Sequence, residues 1–393
     1  MRIAFFADTY RPAMDGVVRS VDVFRDGLRA GGHTVKIFAP APPRRSDRES
    51  GVSYAASVSF PAYPQYRIPL HTSGVAAAAE KFRPDIVHSH AMVRMGLAAR
   101  DAARRLGVPL VGTFHTLLPE ATHYIMPLPR LRAWTGRALW NYLHWFYSPF
   151  DEVLAPSRFM QKRLAEHQIG SVVLPTPVDT QKFCPAKKNA KKERAGEKEK
   201  MNNGKNAGQE KNPAHKTILF VGRVAKEKNL GFLLGLAQTK GWKRWERDEP
   251  RLRLLIAGDG PYRHELEGMV RRLPIGHSVR LLGRVPDAEL IELYRSAACV
   301  IQPSKFETQG LTALEAMACG TPVAVMEGTA LAEVVQPGRN GELFGDDGEE
   351  AVMAVQRIME RRAAYSKAAR KKAMEFSVEK CTKKLVKVYK KVG

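Results

Sequence analysis

Cysteine is scarce and poorly placed for chemistry. Cys184, Cys299, Cys319 and Cys381 are the only four, and they form no CxxC pair and no metal-ligand spacing. Cys299 lies inside an apolar run and reads as a small buried hydrophobe, which suits a reducing cytosol. Long hydrophobic runs are missing too: none reaches the about 18 apolar residues a membrane-spanning helix needs, so any membrane contact is expected to be peripheral. The opening run, Met1-Arg2-Ile3-Ala4-Phe5-Phe6-Ala7-Asp8, is ended by a charge and reads as a first strand rather than a signal peptide. No GxGxxG follows that strand, so nicotinamide binding has no support. Acidic residues are outnumbered, 40 against 63 basic ones, for a net charge of +23. That excess implies anionic partners (nucleic acid, acidic lipid or phosphorylated substrates) without choosing among them.

What is present is a long alternation of strand-like runs and helical periods, which predicts an α/β protein with mainly parallel sheets. The runs at 3–7, 34–39, 86–88, 110–113, 152–155 and 171–174 form one set. Those at 217–221, 252–257, 279–282, 299–302 and 322–325 form a second. A chain of 393 residues is comfortable for two cores. Between the sets, residues 186–215 are rich in Lys, Glu, Asn and Gly and almost free of aliphatic side chains. Such a segment cannot bury enough apolar surface to fold and reads as a disordered interdomain insertion. A nucleic-acid tail is the sharper alternative, but no aromatic residue interleaves its charges. The expected division is 1–185, then the insertion, then 216–375, with a terminal helix at 376–393 that could return to the first domain.

The most informative segment is Lys305-Phe306-Glu307-Thr308-Gln309-Gly310-Leu311-Thr312-Ala313-Leu314-Glu315. It follows an apolar strand and runs into a helix stopped by Gly320-Thr321-Pro322, so the turn lies at a strand's C-terminal edge, where open α/β sheets bind ligands. Gly310 lets backbone amides, with Leu311 first among them, approach an anion. With Glu307 on the loop and Glu315 on the helix, one carboxylate could face a sugar ring and the other a ribose. Arg223 and Lys228 leave another strand's end just before a helix and suit a diphosphate. Gly258 and the Gly283-Arg284-Val285 turn either frame a nucleobase through backbone groups or are simple turns. In the first half, Gly16 precedes a helix and either admits phosphate to its amides or merely permits a tight turn. His115 follows a strand at the expected interdomain cleft, beside His88 and His90. There a neutral imidazole can hydrogen-bond a sugar hydroxyl, or it is structural.

Together, Gly222–Leu230, Gly258–Pro261, Glu307–Glu315 and the Ala316-Met317-Ala318-Cys319-Gly320-Thr321-Pro322 that follows resemble the family 4 (GT4) retaining glycosyltransferases. The resemblance covers nearly the whole chain except the Lys-rich insertion. It implies a GT-B fold, two Rossmann-like domains with parallel sheets facing across a cleft. It also implies metal-independent hexosyl transfer from a nucleotide sugar, with no cofactor and with retention of the α configuration. By that resemblance Glu307 and His115 meet the donor sugar, and Glu315 holds the ribose. Arg223 and Lys228 neutralise the leaving diphosphate, which the loop at Gly16 also approaches. Many members carry two glycines at the first loop where this chain has Asp15-Gly16. Whether Glu307 attacks the anomeric carbon, or the acceptor enters on the same face, stays open.

The acceptor is read from residues 124–147, YIMPLPRLRAWTGRALWNYLHWFY, which contain no acidic residue. Arg130, Arg137 and His144 recur every seven positions, and Trp134, Trp140 and Trp145 are three of the five tryptophans in the chain. Arginine beside tryptophan suits the boundary of an anionic bilayer; the alternative is a helix packed on its own domain. Residues 60–68 form a second acid-free aromatic and basic loop. The phrases around Phe114–Glu120, His123–Ile125 and Glu307–Leu311 are similar to those of diacylglycerol glucosyltransferases. The expectation is therefore a peripheral enzyme on the cytosolic membrane face, moving glucose from UDP-glucose to a lipid hydroxyl. A soluble or polysaccharide acceptor, or GDP-mannose as donor, is the alternative. A nucleic-acid-binding role ranks far behind, because it accounts for none of the placement of Glu307, Glu315, Arg223 and Lys228.

Overall fold

The computed structural model describes residues 1–60, 63–117, 129–186, 217–273 and 278–393, with backbone only at 63–65 and 129–134. The Lys-rich insertion and the segment containing Glu120, His123, Tyr124 and Ile125 lie outside the described residues. The chain divides into two units, Met1–Pro177 with Phe376–Gly393, and Val178–Glu375.

In the first unit, seven strands form one parallel sheet in the order β3-β2-β1-β6-β7-β8-β9. They are β1 (Arg2–Phe6), β2 (Thr34–Pro40), β3 (Val52–Ala55), β6 (Ile86–Ser89), β7 (Leu110–Thr113), β8 (Glu152–Ala155) and β9 (Val172–Val173). The central strands are buried on both faces, as the continuous apolar runs require: Ile3 and Phe5 pack to one side, Ala4 and Phe6 to the other. Residue 60 and residues 63–68, expected as parts of a loop, instead lie in two antiparallel strands, β4 (Ser57–Phe60) and β5 (Tyr63–Pro69). Val58, Phe60, Tyr66 and Ile68, β-branched or aromatic, favour that pairing.

The terminal helix Val378–Val392 belongs to the first unit. Cys381, Leu385 and Tyr389 join Phe24, Leu28 and Ile86 in its core. Gly27 permits the close approach, since a Cβ there would stand 2.3 Å from Thr382 Oγ1.

The second unit carries six parallel strands in the order β12-β11-β10-β13-β14-β15. These are β10 (Thr217–Val221), β11 (Arg253–Ala257), β12 (Val279–Gly283), β13 (Cys299–Gln302), β14 (Val323–Met326) and β15 (Gly341–Phe344). Its boundary falls at residue 178 rather than at 185. Arg370 holds the carbonyls of Thr180 and Phe183 at 3.0 Å, and Arg295 holds that of Cys184 at 2.8 Å.

In both units the strand order reverses beside the first strand, between β1 and β6 and between β10 and β13. The helices leaving those adjacent strands go to opposite faces, which opens a crevice at the strands' C-terminal ends. Among the described residues no helix is long and apolar enough to cross a membrane.

Candidate functional site

The second unit's switch edge is built from the loops after β10 and β13, which bring Arg223 and Lys228 from the one and Glu307 from the other. After β10 the chain makes a turn at Lys226–Lys228 and places Asn229 in the left-handed region (φ 53°) before the helix Leu230–Leu236. After β13 it passes Glu307 and reaches Gly310 (φ 86°), which starts the helix Leu311–Ala318. Side chains stitch the two loops together. Gln302 donates to the carbonyl of Val221 and to Thr312 Oγ1, both at 2.9 Å, and Asn229 donates to the carbonyl of Pro303 at 3.3 Å.

Against that frame Lys228 Nζ lies 2.5 Å from Glu307 Oε1, with the two side chains only 18% and 16% exposed. Arg223 is half-buried on the same loop. Gly310 supplies no side-chain cap, so the first-turn amides from Leu311 onward are what this helix start presents. A Cβ on Gly310 would stand 1.9 Å from Leu331 Cδ2, so both space and dihedral require glycine.

Glu315 is 4% exposed, and Tyr294 donates its hydroxyl to Glu315 Oε2 at 3.0 Å. Gly258 (φ 145°) lets the loops after β10 and β11 touch, since its Cβ would fall 1.8 Å from the Gly222 carbonyl oxygen. Its amide donates to the carbonyl of Gly283 at 2.8 Å, so the turn ending β12 joins the same layer of loops, with Arg284 exposed and Val285 half-buried.

At the first unit's switch edge, Gly16 begins the helix Gly16–Ala30, but the expected open amides are not all presented. Asp15 is the N-cap and accepts from the Val18 amide at 2.9 Å. A carboxylate at that position satisfies an orphan donor and opposes a second anion, so Gly16 is a weaker phosphate approach than glycine alone suggested. The loop before it is pinned by Asp22, which accepts from Tyr10 at 2.9 Å and pairs with Arg11 at 2.7 Å and Arg25 at 2.8 Å.

Beyond β6, Asp8 accepts from the amides of Met92, Val93 and Met95 at 2.8 to 3.0 Å and so caps the helix Arg94–Leu106. Its burial pushes its carboxyl above the usual range, against the pull of those three bonds. His115, just past β7, is half-buried and adjoins His90, with His115 Nε2 2.9 Å from His90 Nδ1. Burial lowers its pKa to about 4, so the ring is neutral at pH 7.

The helix Pro129–Tyr147 divides the expected membrane residues. The side chains of Arg130 and Trp134 lie outside the described residues. Trp140 is 7% exposed, packs with Leu143 and Phe146, and stacks on His167 at 3.8 Å. It is a core residue and not a membrane anchor, because its ring covers the apolar layer under its own helix. Arg137 is exposed, and Trp145 is 52% exposed with the Arg100 guanidinium carbon 4.3 Å from its ring centroid. Exposed Val93 and Leu97 lie on the neighbouring helix and its cap.

Reading the chain alone missed Tyr294, Gln302, Asn229 and Asp8 as partners of the site. Gln302, a polar residue closing an apolar strand, was a visible signal. Tyr294 gave none, since a tyrosine at that helical spacing reads as ordinary core.

Two doubly wound parallel sheets, each presenting its switch-edge loops, are the architecture of the GT-B fold. The family model for Glycosyltransferase Family 4 matches residues 14–182, and that for Glycosyl transferases group 1 matches residues 203–374. The chain is 31% identical over 385 residues to a GDP-mannose-dependent alpha-mannosyltransferase of Mycolicibacterium smegmatis, covering 95% of this chain and 93% of that protein. It is 28% identical over 395 residues to the alpha-monoglucosyldiacylglycerol synthase of Streptococcus pneumoniae, covering 99% of this chain and 85% of that protein. Among solved structures, Anabaena HepE in complex with UDP and glucose is similar at a TM-score of 0.72 and 17% identity, over 99% of each chain, a likeness of fold. The protein belongs to glycosyltransferase family 4.

Proposed function

We propose that this glycosyltransferase moves glucose from UDP-glucose to the hydroxyl of a membrane lipid such as diacylglycerol at the cytosolic membrane face. Transfer retains the α configuration and needs no metal. The observation that carries the donor half of this reading is the Lys228–Glu307 pair at the second sheet's switch edge, flanked by Arg223 and by the amides at Leu311. In the reaction the bond from the anomeric carbon to the diphosphate oxygen breaks, a bond to the acceptor oxygen forms, and the acceptor's hydroxyl proton passes to the departing diphosphate. Negative charge then grows on the diphosphate. Preorganised Arg223, Lys228 and helix-start amides meet that charge, which is the stabilisation a metal would otherwise supply. Glu307 faces the sugar, and Glu315, oriented by Tyr294, takes the ribose hydroxyls. His115, neutral, hydrogen-bonds a sugar hydroxyl.

The lipid half rests on two supports. One is the Streptococcus pneumoniae relative, a diacylglycerol glycolipid synthase by name. The other is the exposed Trp145 with Arg100 over its ring, with Arg137 exposed on the same helix and Val93 and Leu97 exposed along the helix of Arg100 and its cap. These are aromatic, apolar and cationic groups suited to an anionic bilayer surface. The Mycolicibacterium relative favours a second reading, in which GDP-mannose is the donor.

The test is transfer from radiolabelled UDP-glucose to diacylglycerol in anionic vesicles with chelator present, beside parallel reactions with GDP-mannose. Labelled lipid from UDP-glucose supports the proposal. Label only from GDP-mannose favours the second reading, and label only on soluble acceptors removes the lipid.

A further inference from the structure

Three imidazoles, His88, His90 and His115, form a contiguous row at the first unit's switch edge, and the proposed function uses only the last. His88 and His90 are two residues apart on β6 and its extension, so they project to the same face of the sheet. The His88 and His90 rings stack at 4.2 Å and 26°, while the His90 and His115 rings meet edge to edge, their centroids 5.2 Å and their planes 23° apart. The Phe5 ring meets His88 and His90 edge-on at 5.2 and 4.7 Å, which fixes both planes.

His88 is satisfied at both nitrogens: Nδ1 shares a hydrogen bond with the Tyr389 hydroxyl at 2.5 Å, and Nε2 with Thr113 Oγ1 at 2.7 Å. His90 is different. Its Nδ1 lies 2.9 Å from His115 Nε2, while its own Nε2 is buried with no partner among the described residues.

We infer that His90 is a positioning residue that donates from Nδ1–H to His115 Nε2 and thereby holds His115 as the Nδ1–H tautomer. The argument is a count of protons. Burial holds both rings neutral, so each carries one proton, and the short contact between them consumes one. If His115 were the donor, the His90 proton would sit on Nε2, a buried N–H with no acceptor. Orphaned buried donors are rarer in folded proteins than orphaned acceptors. If His90 is the donor, its Nε2 carries only a lone pair, and the packed rings of Phe5 and His88 keep its plane from turning. The His115 ring then presents an N–H, not a lone pair, at Nδ1. That deepens the proposed role of His115 and rests on it for the catalytic consequence: the ring would give a hydrogen bond to a sugar oxygen. Nothing in the tautomer itself depends on the transferase reading.

The experiment reads the tautomer directly. In histidine-labelled full-length protein without substrate, ring-nitrogen 15N shifts for His115, assigned by loss in His115→Gln, should report protonated Nδ1 and bare Nε2. His90→Asn keeps a donor where Nδ1 stood and should preserve that pattern. His90→Gln and His90→Leu place no donor there and should yield a tautomer mixture. With donor and acceptor supplied, kcat should fall about tenfold or more in His90→Leu, with donor KM within about threefold. His90→Asn should recover most of the loss. A His115 ring protonated at Nε2 in the unaltered protein overturns the inference, as does an unchanged tautomer in His90→Leu. If His90→Leu does not fold, the His90→Asn and His90→Gln pair carries the test. A correct tautomer pattern with no sugar transfer would leave the row intact and count against the proposed function alone.

Discussion

Lys228 and Glu307 neutralise one another at 2.5 Å, although each is drawn from a different strand's loop and each is assigned to a different part of the substrate. Under the proposed function a bound diphosphate gives Lys228 a second anion to serve, so the pair would couple donor binding to sugar positioning. A pair this little exposed costs more to break one-sidedly than to remove entirely, because a single deletion strands the other charge. Lys228→Met and Glu307→Gln are each expected to lower stability by about 1–3 kcal/mol. The double variant should lose less than the sum, read as a coupling energy from urea titrations. Glu307→Gln should also cut transfer at least a hundredfold with circular dichroism unchanged. Near-normal turnover would remove that carboxylate from the mechanism.

Tyr294 gives its hydroxyl to Glu315, and the bond is buried. Tyr294→Phe should cost about 1 kcal/mol of stability and weaken nucleotide binding several-fold by freeing the carboxylate's orientation. Calorimetric titration with UDP checks it: unchanged affinity would mean Glu315 serves the fold and not the ribose.

The two tryptophans of the Pro129–Tyr147 helix should behave oppositely. Trp140→Ala empties a packed position and should destabilise by about 3–5 kcal/mol without altering vesicle binding per folded molecule. Trp145→Ala with Arg100→Gln should leave the melting point nearly unchanged yet release the protein from anionic vesicles in cosedimentation. Retention of both variants on vesicles would refute the surface assignment.

Acid should weaken the first unit through its buried imidazoles. Burial lowers His88 to about 3 and His115 to about 4, against 6.5 for a free histidine. Below pH 6.5 the unfolded chain takes up protons that the folded one refuses, so these rings lose stability for the fold progressively from about pH 6.5 down to their folded values. Asp8, raised by its own burial, contributes with the opposite sign, so the informative quantity is a difference. His115→Gln should show a shallower fall in urea midpoint than the unaltered protein between pH 6.5 and 4. Parallel profiles would mean that the ring protonates in place without cost.

Much of this architecture was legible before folding. Apolar runs too uniform for a half-exposed sheet announced buried parallel strands, and Gly310 between such a run and a helix marked the turn that starts that helix. Glu307 and Lys228 could be nominated because each stands at the end of a strand, where side chains cannot be explained by packing. Burial was not legible in the same way. Trp140 and Trp145 are five positions apart on one helix with similar neighbours, yet one is core and the other exposed, because the layer beneath the helix comes from distant segments such as His167. Asp15 illustrates the converse: the residue was visible, but only the backbone geometry shows that its carboxylate occupies the helix start.

By itself the sequence determined the fold class, the two-sheet organisation and the family, since these follow from periodicity and from short motifs whose chemistry is local. Only the tertiary structure decided which residues answer one another. Lys228 meets Glu307 across 79 positions, Tyr294 meets Glu315 across 21 and His90 meets His115 across 25. The first pairing exists because β10 and β13 are adjacent in the sheet but not in the chain, so the reversal of strand order brings their loops together. The other two join consecutive elements that the doubly wound sheet lays side by side.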